Sequence, residues 1–316
     1  MEKAHFSWKS QSNPEDTIKY IEKLPVKEIS IVDKETSPEK IEDLFFNDTG
    51  CFIVKGLYSE DVMERFNKWT LEILEEAKKD PNSRHPIQED KFLINDLLYR
   101  MSATDPELLL DIFNKDELYH FSDVLLGFTF IGSSTVHYTT AKGKRQQTHV
   151  DYPLHLNSSS FWGGDINKLK RFTTRYQEEK ILPRHSIQIL IAPQKMNKNN
   201  GSTEVIPCSQ QIPDIDLNLH NRKVSEKLEN RFINAELEKG DALFFNRRLV
   251  HRGGSNISES PRNALILQCE HLWAIPQETF DFSKVRFNMF IHDITIPDEF
   301  FLRLKQPYPK DVKKET

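Results

Sequence analysis

Hydrophobic positions in the first 126 residues recur at the spacing of helices, and those after Gly127 fall in the short runs of strands. The clearest helix begins at Ser59, a favourable N-cap. Its apolar face comprises Val62, Phe66, Trp69 and Ile73. Further helices are predicted to begin at Ser37, at Asp105 and at Asp116, the last of them ending near Leu126.

The part of the chain after Gly127 alternates short β-rich runs with Gly, Pro, Asn and Ser. The predicted strands, including one in the first part, are 50–54, 128–138, 185–192, 203–206, 242–245 and 264–269. Helices followed by many short strands predict an α+β fold or a β-barrel with a helical buttress. Residues 81–100 follow neither pattern.

The length of 316 residues suits one large domain, and we predict a single domain over 1–316. Residues 1–28 are polar and lack a clear period, so we expect a tail or a strap over the barrel. The polar insert 157–184 lies between two predicted strands. It is a candidate lid, because long excursions of this kind often cover binding sites.

Composition narrows the class of protein. The formal net charge is −5, so no global basic field favours nucleic acid or an anionic membrane. No apolar run approaches the roughly 18 residues of a membrane span, and the N-terminus lacks the apolar core of a secretory signal. Three widely spaced cysteines argue against a disulfide framework and fit a reducing compartment. We therefore predict a cytoplasmic enzyme.

The first chemical motif is His149-Val150-Asp151. Residues two apart in a strand point to the same face, so His149 and Asp151 can bind one ion. Without further motifs, the better interpretation of His149 and Asp151 is a hydrogen-bonded pair on the surface. His251 ends an apolar strand about a hundred residues later and can add a third ligand. Two histidines and one carboxylate on one face form the ligand set of non-heme Fe(II) oxygenases.

Arg262 lies 11 residues after His251, at the start of the next apolar strand. A guanidinium that points into an apolar barrel needs an anionic partner, because an unpaired buried charge is costly. Its planar fork suits a carboxylate bound through two hydrogen bonds. A structural salt bridge is the alternative interpretation of Arg262.

The order and spacing of these motifs resemble the phytanoyl-CoA dioxygenase family of Fe(II)/2-oxoglutarate-dependent oxygenases over roughly residues 40–275. The similar features are the HxD motif, a strand followed by Asn200-Gly201 and Val205-Ile206-Pro207, the strand after Gly240-Asp241, and the distal histidine with its arginine. Two positions depart from the family. Cys208 stands where glycine is usual, and Gly253 stands where Ser or Thr often supplies a hydroxyl to 2-oxoglutarate.

The resemblance implies a double-stranded β-helix, a jelly-roll or cupin-like barrel, with helices packed on its outer face. It implies that His149, Asp151 and His251 bind Fe(II) and that Arg262 binds the distal carboxylate of the cosubstrate 2-oxoglutarate. No catalytic residues beyond the metal ligands are predicted. Four further residues are candidates for contact with 2-oxoglutarate: Gln188, Tyr138, Thr140 and Thr148. Which of them face the site depends on how side chains alternate along each strand.

The implied reaction is the oxidation of an unactivated C–H bond of a small molecule by O2, with release of succinate and CO2. The presence of Asp151 favours hydroxylation over halogenation. Between Lys142 and Arg184 nine basic and four acidic residues give 9 − 4 = +5, which predicts an anionic substrate. A solvated basic face is the alternative interpretation. Candidate substrate contacts are Phe161, Trp162, Arg171 and Arg175.

Two other functions stay open at this point. One is a cupin-like metalloenzyme that does not use 2-oxoglutarate, and the other is a catalytically silent binding protein on the same fold. Neither nucleic acid nor a membrane is predicted as a partner, and the sequence leaves the oligomeric state undetermined.

Overall fold

The structure is a computed structural model of the chain, and it describes residues 13–79, 90–95, 97–151, 186–212 and 218–271. The predicted insert 157–184 lies outside the described residues. The same holds for the four candidate substrate contacts within it, which are Phe161, Trp162, Arg171 and Arg175.

Seven α-helices lie within the described ranges. They are α1 (Pro14–Lys23), α2 (Pro38–Glu42), α3 (Glu60–Ala77), α4 (Leu97–Thr104), α5 (Pro106–Phe113), α6 (Asp116–Leu126) and α7 (Arg222–Glu229). The predicted N-caps are confirmed for three of them, because the side chains of Ser37, Ser59 and Asp105 accept hydrogen bonds from the first turns of α2, α3 and α5. None of the described helices has the length and apolarity that crossing a membrane requires.

Ten strands make up the described β-structure. They are β1 (Ser30–Val32), β2 (Cys51–Val54), β3 (Lys91–Ile94), β4 (Thr129–Thr139), β5 (Ser186–Ile191), β6 (Thr203–Val205), β7 (Ile233–Asn234), β8 (Ala242–Asn246), β9 (His251–Gly253) and β10 (Arg262–His271). All six predicted strands are present within one or two residues of their expected ends. β1, β3, β7 and β9 are short and were not predicted. His251 was expected to end the apolar strand before it, but β8 ends at Asn246 and His251 begins β9.

The strands form two sheets that face each other. The larger sheet has the order β1-β2-β8-β5-β10-β4-β3, and the smaller has the order β7-β6-β9. Inward-facing residues of both sheets, such as Leu190, Phe245 and Val205, share one buried cluster. The predicted jelly-roll barrel is thereby confirmed, and its interior is the space between the two sheets.

Helices α2 to α6 cover the outer face of the larger sheet, as predicted. Phe244 of β8 stacks on Phe52 of β2 with ring centroids 5.1 Å apart, and Phe121 of α6 packs against Phe244 at 5.5 Å. Each fully buried ring of this kind stabilises the fold by about 1.5–3 kcal/mol. This core supports the outer face of the larger sheet, so the inner face is available for a functional site.

The Gly240-Asp241 pair is structural. Gly240 has φ +89°, and a Cβ there would lie 2.1 Å from the carbonyl oxygen of Tyr58. The Asp241 carboxylate accepts a hydrogen bond from the Gly56 amide at 2.9 Å and pairs with Lys55 at 2.7 Å. The pair therefore joins the start of β8 to the turn that follows β2.

Residues 14–23 are helical, although the sequence shows no clear period there. Asn13 caps α1, and the helix packs against α7 on the outside of the smaller sheet. Lys227 pairs with Glu22 at 2.6 Å across this contact. The described part of the predicted N-terminal strap therefore packs on the barrel as a helix.

Candidate metal centre

The predicted ligands meet at the wall of the barrel interior. His251 opens β9, and its backbone exchanges two hydrogen bonds of 3.0 Å with His149, which lies outside the named strands. The amide of Asp151 donates to the carbonyl of Arg247 at 2.8 Å. Two segments about a hundred residues apart in the chain are thus joined at the ligands themselves.

The three side chains converge on one point. Nε2 of His149 lies 3.7 Å from one carboxylate oxygen of Asp151, and Nε2 of His251 lies 3.5 Å from the other. One potential ligand atom from each residue lies within 4.8 Å of the others. Among the described residues this is the group of histidine, cysteine and acidic side chains that could hold a metal ion.

Both imidazoles are oriented in the same way by the backbone. Nδ1 of His149 lies 2.8 Å from the carbonyl of Gln147, and Nδ1 of His251 lies 2.9 Å from the carbonyl of Leu249. A carbonyl can only accept, so Nδ1 carries the proton in each ring. Nε2 is then left as a lone-pair donor that faces Asp151.

The protonation states of the ligands favour binding of a cation. Burial and the neighbouring His251 lower the pKa of His149 to about 4, so the ring is neutral at pH 7. Burial opposes ionisation of Asp151, but His251, His149 and Arg247 outweigh it and hold the pKa of the Asp151 carboxyl below its usual value. A neutral imidazole beside a carboxylate is the state in which these ligands bind metal.

Arg262 lies in the same interior, at the first residue of β10. Its side chain is 3% exposed, and one of its terminal nitrogens donates to Oγ1 of Thr139 at 3.2 Å. Its Nε has no hydrogen-bond partner, and none of the described acidic residues forms a salt bridge with it. Burial lowers the pKa of Arg262 to about 10, so the guanidinium is charged at pH 7, and it has no counter-ion among the described residues.

Lys91 is a second buried cation that the sequence did not reveal. Lys91 on β3 and Arg262 on β10 both pair with Thr139 of β4, so the two side chains share one row across three strands. Lys91 is 3% exposed, and burial together with Arg262 lowers its pKa to about 8. Residues 81–100 show no periodicity, which is why β3 and its inward lysine could not be placed.

The side chain of Lys91 ends in space that a side chain on residue 253 would otherwise occupy. A Cβ on Gly253 would lie 2.9 Å from Nζ of Lys91 and 3.2 Å from Oε1 of Gln146. The position at which relatives often carry a hydroxyl is therefore next to an ammonium group in this chain. The departure at Cys208 is local, since Cys208 has φ +68° in a turn, a conformation that favours glycine.

A cavity of about 60 Å³ joins the ligands to the two cations. The predicted residues in its lining are His149, Asp151, His251, Arg262 and Gln188. Oε1 of Gln188 is buried without a partner, so an acceptor points into this space. The lining residues that sequence reasoning did not assign to the site include Lys91, His137, Gln146 and Thr203. A structural role was the favoured interpretation of His137 from sequence.

Tyr138, Thr140 and Thr148 do not line the cavity. Tyr138 points to the outer face of β4, where its ring lies 6.3 Å from that of Phe92 in the helical core. The strand pattern left the direction of Tyr138 open; its side chain faces away from the site, and the neighbouring Thr139 contacts Arg262. Thr140 follows β4, and its carbonyl accepts from the side chain of Asn256.

Arg247 joins the two ends of the segment that follows Asp151. One terminal nitrogen donates to the carbonyl of Asp151 at 3.4 Å, and the other donates to Oγ of Ser186 at 2.9 Å. Residues 152–185, between these ends, are outside the described ranges. Arg247 therefore fixes where the chain leaves the metal ligands and where β5 begins.

The residues present fit both a divalent metal and a dicarboxylate. Two Nε2 atoms and a carboxylate on one face suit Fe(II) and leave open positions. Two buried cations on one row, with an unpartnered Nε on Arg262, suit a carboxylate at the far end of a ligand that also reaches the metal.

Comparisons with known proteins agree with this chemistry. The family model of phytanoyl-CoA dioxygenase (PhyH) matches residues 46–264. No curated protein matches the chain.

Similar solved structures share the fold at low identity. EctD from S. alaskensis, crystallised with 2-oxoglutarate and 5-hydroxyectoine, has a TM-score of 0.54 and 17% identity, over 77% of this chain and 79% of its own. The 2-oxoglutarate-dependent carbocyclase SnoK from nogalamycin biosynthesis has a TM-score of 0.53 and 16% identity, over 75% and 85%. HygX from Streptomyces hygroscopicus, with nickel and 2-oxoglutarate bound, has a TM-score of 0.52 and 13% identity, over 79% and 91%.

The match covers more than half of the chain, and it includes all three converging ligands and Arg262. The chain therefore belongs to the phytanoyl-CoA dioxygenase family of iron- and 2-oxoglutarate-dependent oxygenases.

Proposed function

We propose that the chain is an Fe(II)/2-oxoglutarate-dependent dioxygenase whose metal is held by His149, Asp151 and His251. The observation that carries this proposal is the convergence of the three ligands beside two buried cations that form no salt bridge within the described part of the chain. When bound, iron and 2-oxoglutarate supply the O2-dependent oxidation of a C–H bond with release of succinate and CO2.

The protein contributes position and charge. Backbone carbonyls fix both imidazoles with Nε2 toward the metal. Arg262 and Lys91 lie together where they would bind the distal carboxylate of 2-oxoglutarate, and Lys91 would take the place of the hydroxyl that Gly253 lacks. The acceptor on Gln188 is free to orient a ligand group inside the cavity. No further acid or base is needed in this assignment.

The substrate is a small molecule oxidised with O2, and its anionic character is a separate proposal. It is supported by the basic composition of 142–184. Two described members of that set are already paired, because Arg145 contacts Glu229 and Lys142 contacts Glu259. The proposal therefore depends on the remaining basic residues, above all Arg171 and Arg175. We expect glutamine at both positions to raise the KM for substrate and to reduce its dependence on salt.

An anaerobic titration tests the cofactor assignment. Fe(II) and 2-oxoglutarate together should give a visible metal-to-ligand charge-transfer band in the folded apoprotein. We expect His149→Ala to abolish the band, because one metal ligand is missing. We expect Arg262→Ala to shift its midpoint to at least tenfold higher 2-oxoglutarate concentration, since a charged hydrogen bond contributes about 1.5–3 kcal/mol.

The titration also separates the alternatives. An unchanged 2-oxoglutarate midpoint in Arg262→Ala would favour a cupin-like metalloenzyme without this cosubstrate. Absence of the band in folded wild-type protein would favour a silent binding protein. A cytoplasmic location remains a prediction from the cysteines, which are buried free thiols in the described structure.

A further inference from the structure

A balanced cluster of charges lies directly behind the metal ligands, on the outer face of the smaller sheet. We name it the four-charge cluster, and it comprises Arg145, Glu204, Glu229 and Arg252. Arg252 follows His251 on β9, so strand alternation turns it away from the metal. Glu204 is its direct partner on β6. Glu229 is the last residue of α7.

Two members of the cluster are buried, and the side chains of Arg145 and Glu229 are about half-exposed. Arg252 is 5% exposed and Glu204 is 7% exposed. Nε of Arg252 donates to Glu204 at 2.5 Å, and its two terminal nitrogens donate to Glu229 at 2.8 and 3.0 Å. The guanidinium also lies 3.7 Å from the ring centroid of Phe232. These contacts hold Arg252 in one conformation.

Arg145 brings the other ligand segment into the same cluster. It lies four residues before His149 and donates to Glu229 at 3.0 Å and to Glu204 at 3.4 Å. Both carboxylates are therefore shared by one arginine from each ligand-bearing segment. The cluster joins the two segments from behind.

This link matters because His149 has little regular structure around it. Its segment is joined to β9 by the backbone pair with His251 and by two bonds between Gln146 and Gly253. The Gln146 amide donates to the Gly253 carbonyl at 2.8 Å, and the Gly253 amide donates to Oε1 of Gln146 at 2.9 Å. β9 itself has three residues. The shared carboxylates add a side-chain restraint to this short ladder and so help to set the distance between the two histidines.

We infer that the four-charge cluster positions His149 against His251 and thereby sets the affinity of the centre for its metal. This inference rests on the proposed function. Among the described residues, loss of Glu229 would leave Glu204 as the one carboxylate shared by Arg145 and Arg252. One negative charge against two positive charges would weaken the link between the two ligand segments, although no metal ligand had changed.

Metal titration of the full-length apoprotein tests the inference. Mn(II) is the probe, and the electron paramagnetic resonance signal of free Mn(II) reports its binding without turnover. We expect Glu229→Gln to raise the Kd for Mn(II) tenfold or more, in the range found when support of metal ligands is removed. The matched control is Glu226→Gln on the same helix, which loses an exposed pair with Arg222 and should leave Kd within twofold.

A double variant distinguishes positioning from general destabilisation. Arg145→Gln and Glu229→Gln cut the same link, so together they should weaken Mn(II) binding no more than the stronger single variant does. Urea unfolding of each apoprotein checks that the fold is retained. An unchanged Kd in Glu229→Gln, or fully additive losses in the double variant, would overturn the inference. If the wild type bound no Mn(II), the proposed function itself would fail.

Discussion

Lys91 and Arg262 are two like charges buried on one row of the sheet, and this arrangement opposes folding of the apoprotein. A bound dicarboxylate would neutralise both. Affinity for the cosubstrate and stability of the empty protein are therefore in conflict at Lys91. Removing the charge of Lys91 should therefore stabilise the apoprotein and weaken its binding of 2-oxoglutarate.

We expect Lys91→Met to raise the free energy of unfolding of the apoprotein by about 1–3 kcal/mol at pH 7. The same variant should raise the 2-oxoglutarate concentration at half-saturation of the charge-transfer band at least tenfold. Urea denaturation and the anaerobic titration measure the two effects. Lys195→Met is the control, because Lys195 is exposed and pairs with Glu238 at the surface. A loss of stability in Lys91→Met would contradict the argument.

The pH dependence of this gain follows from the lowered pKa of Lys91. Below about pH 8 the lysine is charged in both folded and unfolded chains, so the full penalty is present. As pH rises toward 10.5 the folded protein loses the proton first, and wild-type stability increases relative to that of the variant. The difference between Lys91→Met and wild type should therefore shrink above pH 8.

His149 gives a second pH effect, on the acid side. Its pKa is about 4 in the folded apoprotein and 6.5 for the free side chain, so the unfolded chain binds the proton first. Stability contributed by the neutral ring should be lost as pH falls from 6.5 through 4. NMR titration of the His149 ring should give a pKa well below 6. A midpoint near 6.5 would show that the ring is not held neutral.

Gly253 and Lys91 should be energetically coupled. Gly253→Ser places a Cβ against Nζ of Lys91, so we expect weaker 2-oxoglutarate binding in this variant. In a Lys91→Ala background the same serine has room and should cost less. A double-mutant cycle on the 2-oxoglutarate midpoint measures the coupling. Equal effects of the serine in both backgrounds would argue against contact between the two positions.

At the scale of elements, the turn before β8 is where backbone geometry leaves least freedom. Gly240→Ala would combine a left-handed residue with a Cβ 2.1 Å from the Tyr58 carbonyl oxygen. We expect a loss of more than about 2 kcal/mol in urea unfolding. Gly56→Ala is the matched control, because Gly56 has φ +58° but no atom within 4 Å of the added Cβ. Its loss should be about 1 kcal/mol.

The elements also explain what sequence reasoning could predict. The long helices and strands were predictable because burial on one face imposes a period on their residues. The sequence pointed to four site residues because of two spacings. His149 and Asp151 are two residues apart, and Arg262 follows His251 by 11 residues. β3 was missed because its four residues are too few to show a period and its inward residue is a lysine. The direction of Tyr138 stayed open because a strand pattern does not reveal which face is the interior.

At the scale of the molecule, ligand binding and folding are linked. Mn(II) with 2-oxoglutarate should stabilise the folded chain, by about 2.7 kcal/mol when free metal is at a hundred times its Kd. We expect thermal unfolding to show this increase in wild type and not in His251→Ala. An equal increase in His251→Ala would place the metal elsewhere.

The contact of Arg247 with both Asp151 and Ser186 has a consequence for how the family can diversify. The two ends of the 34-residue segment 152–185 are fastened beside the metal ligands by one side chain. Because this side chain holds both Asp151 and Ser186, we expect changes in the length of 152–185 to leave the metal affinity of the centre unchanged.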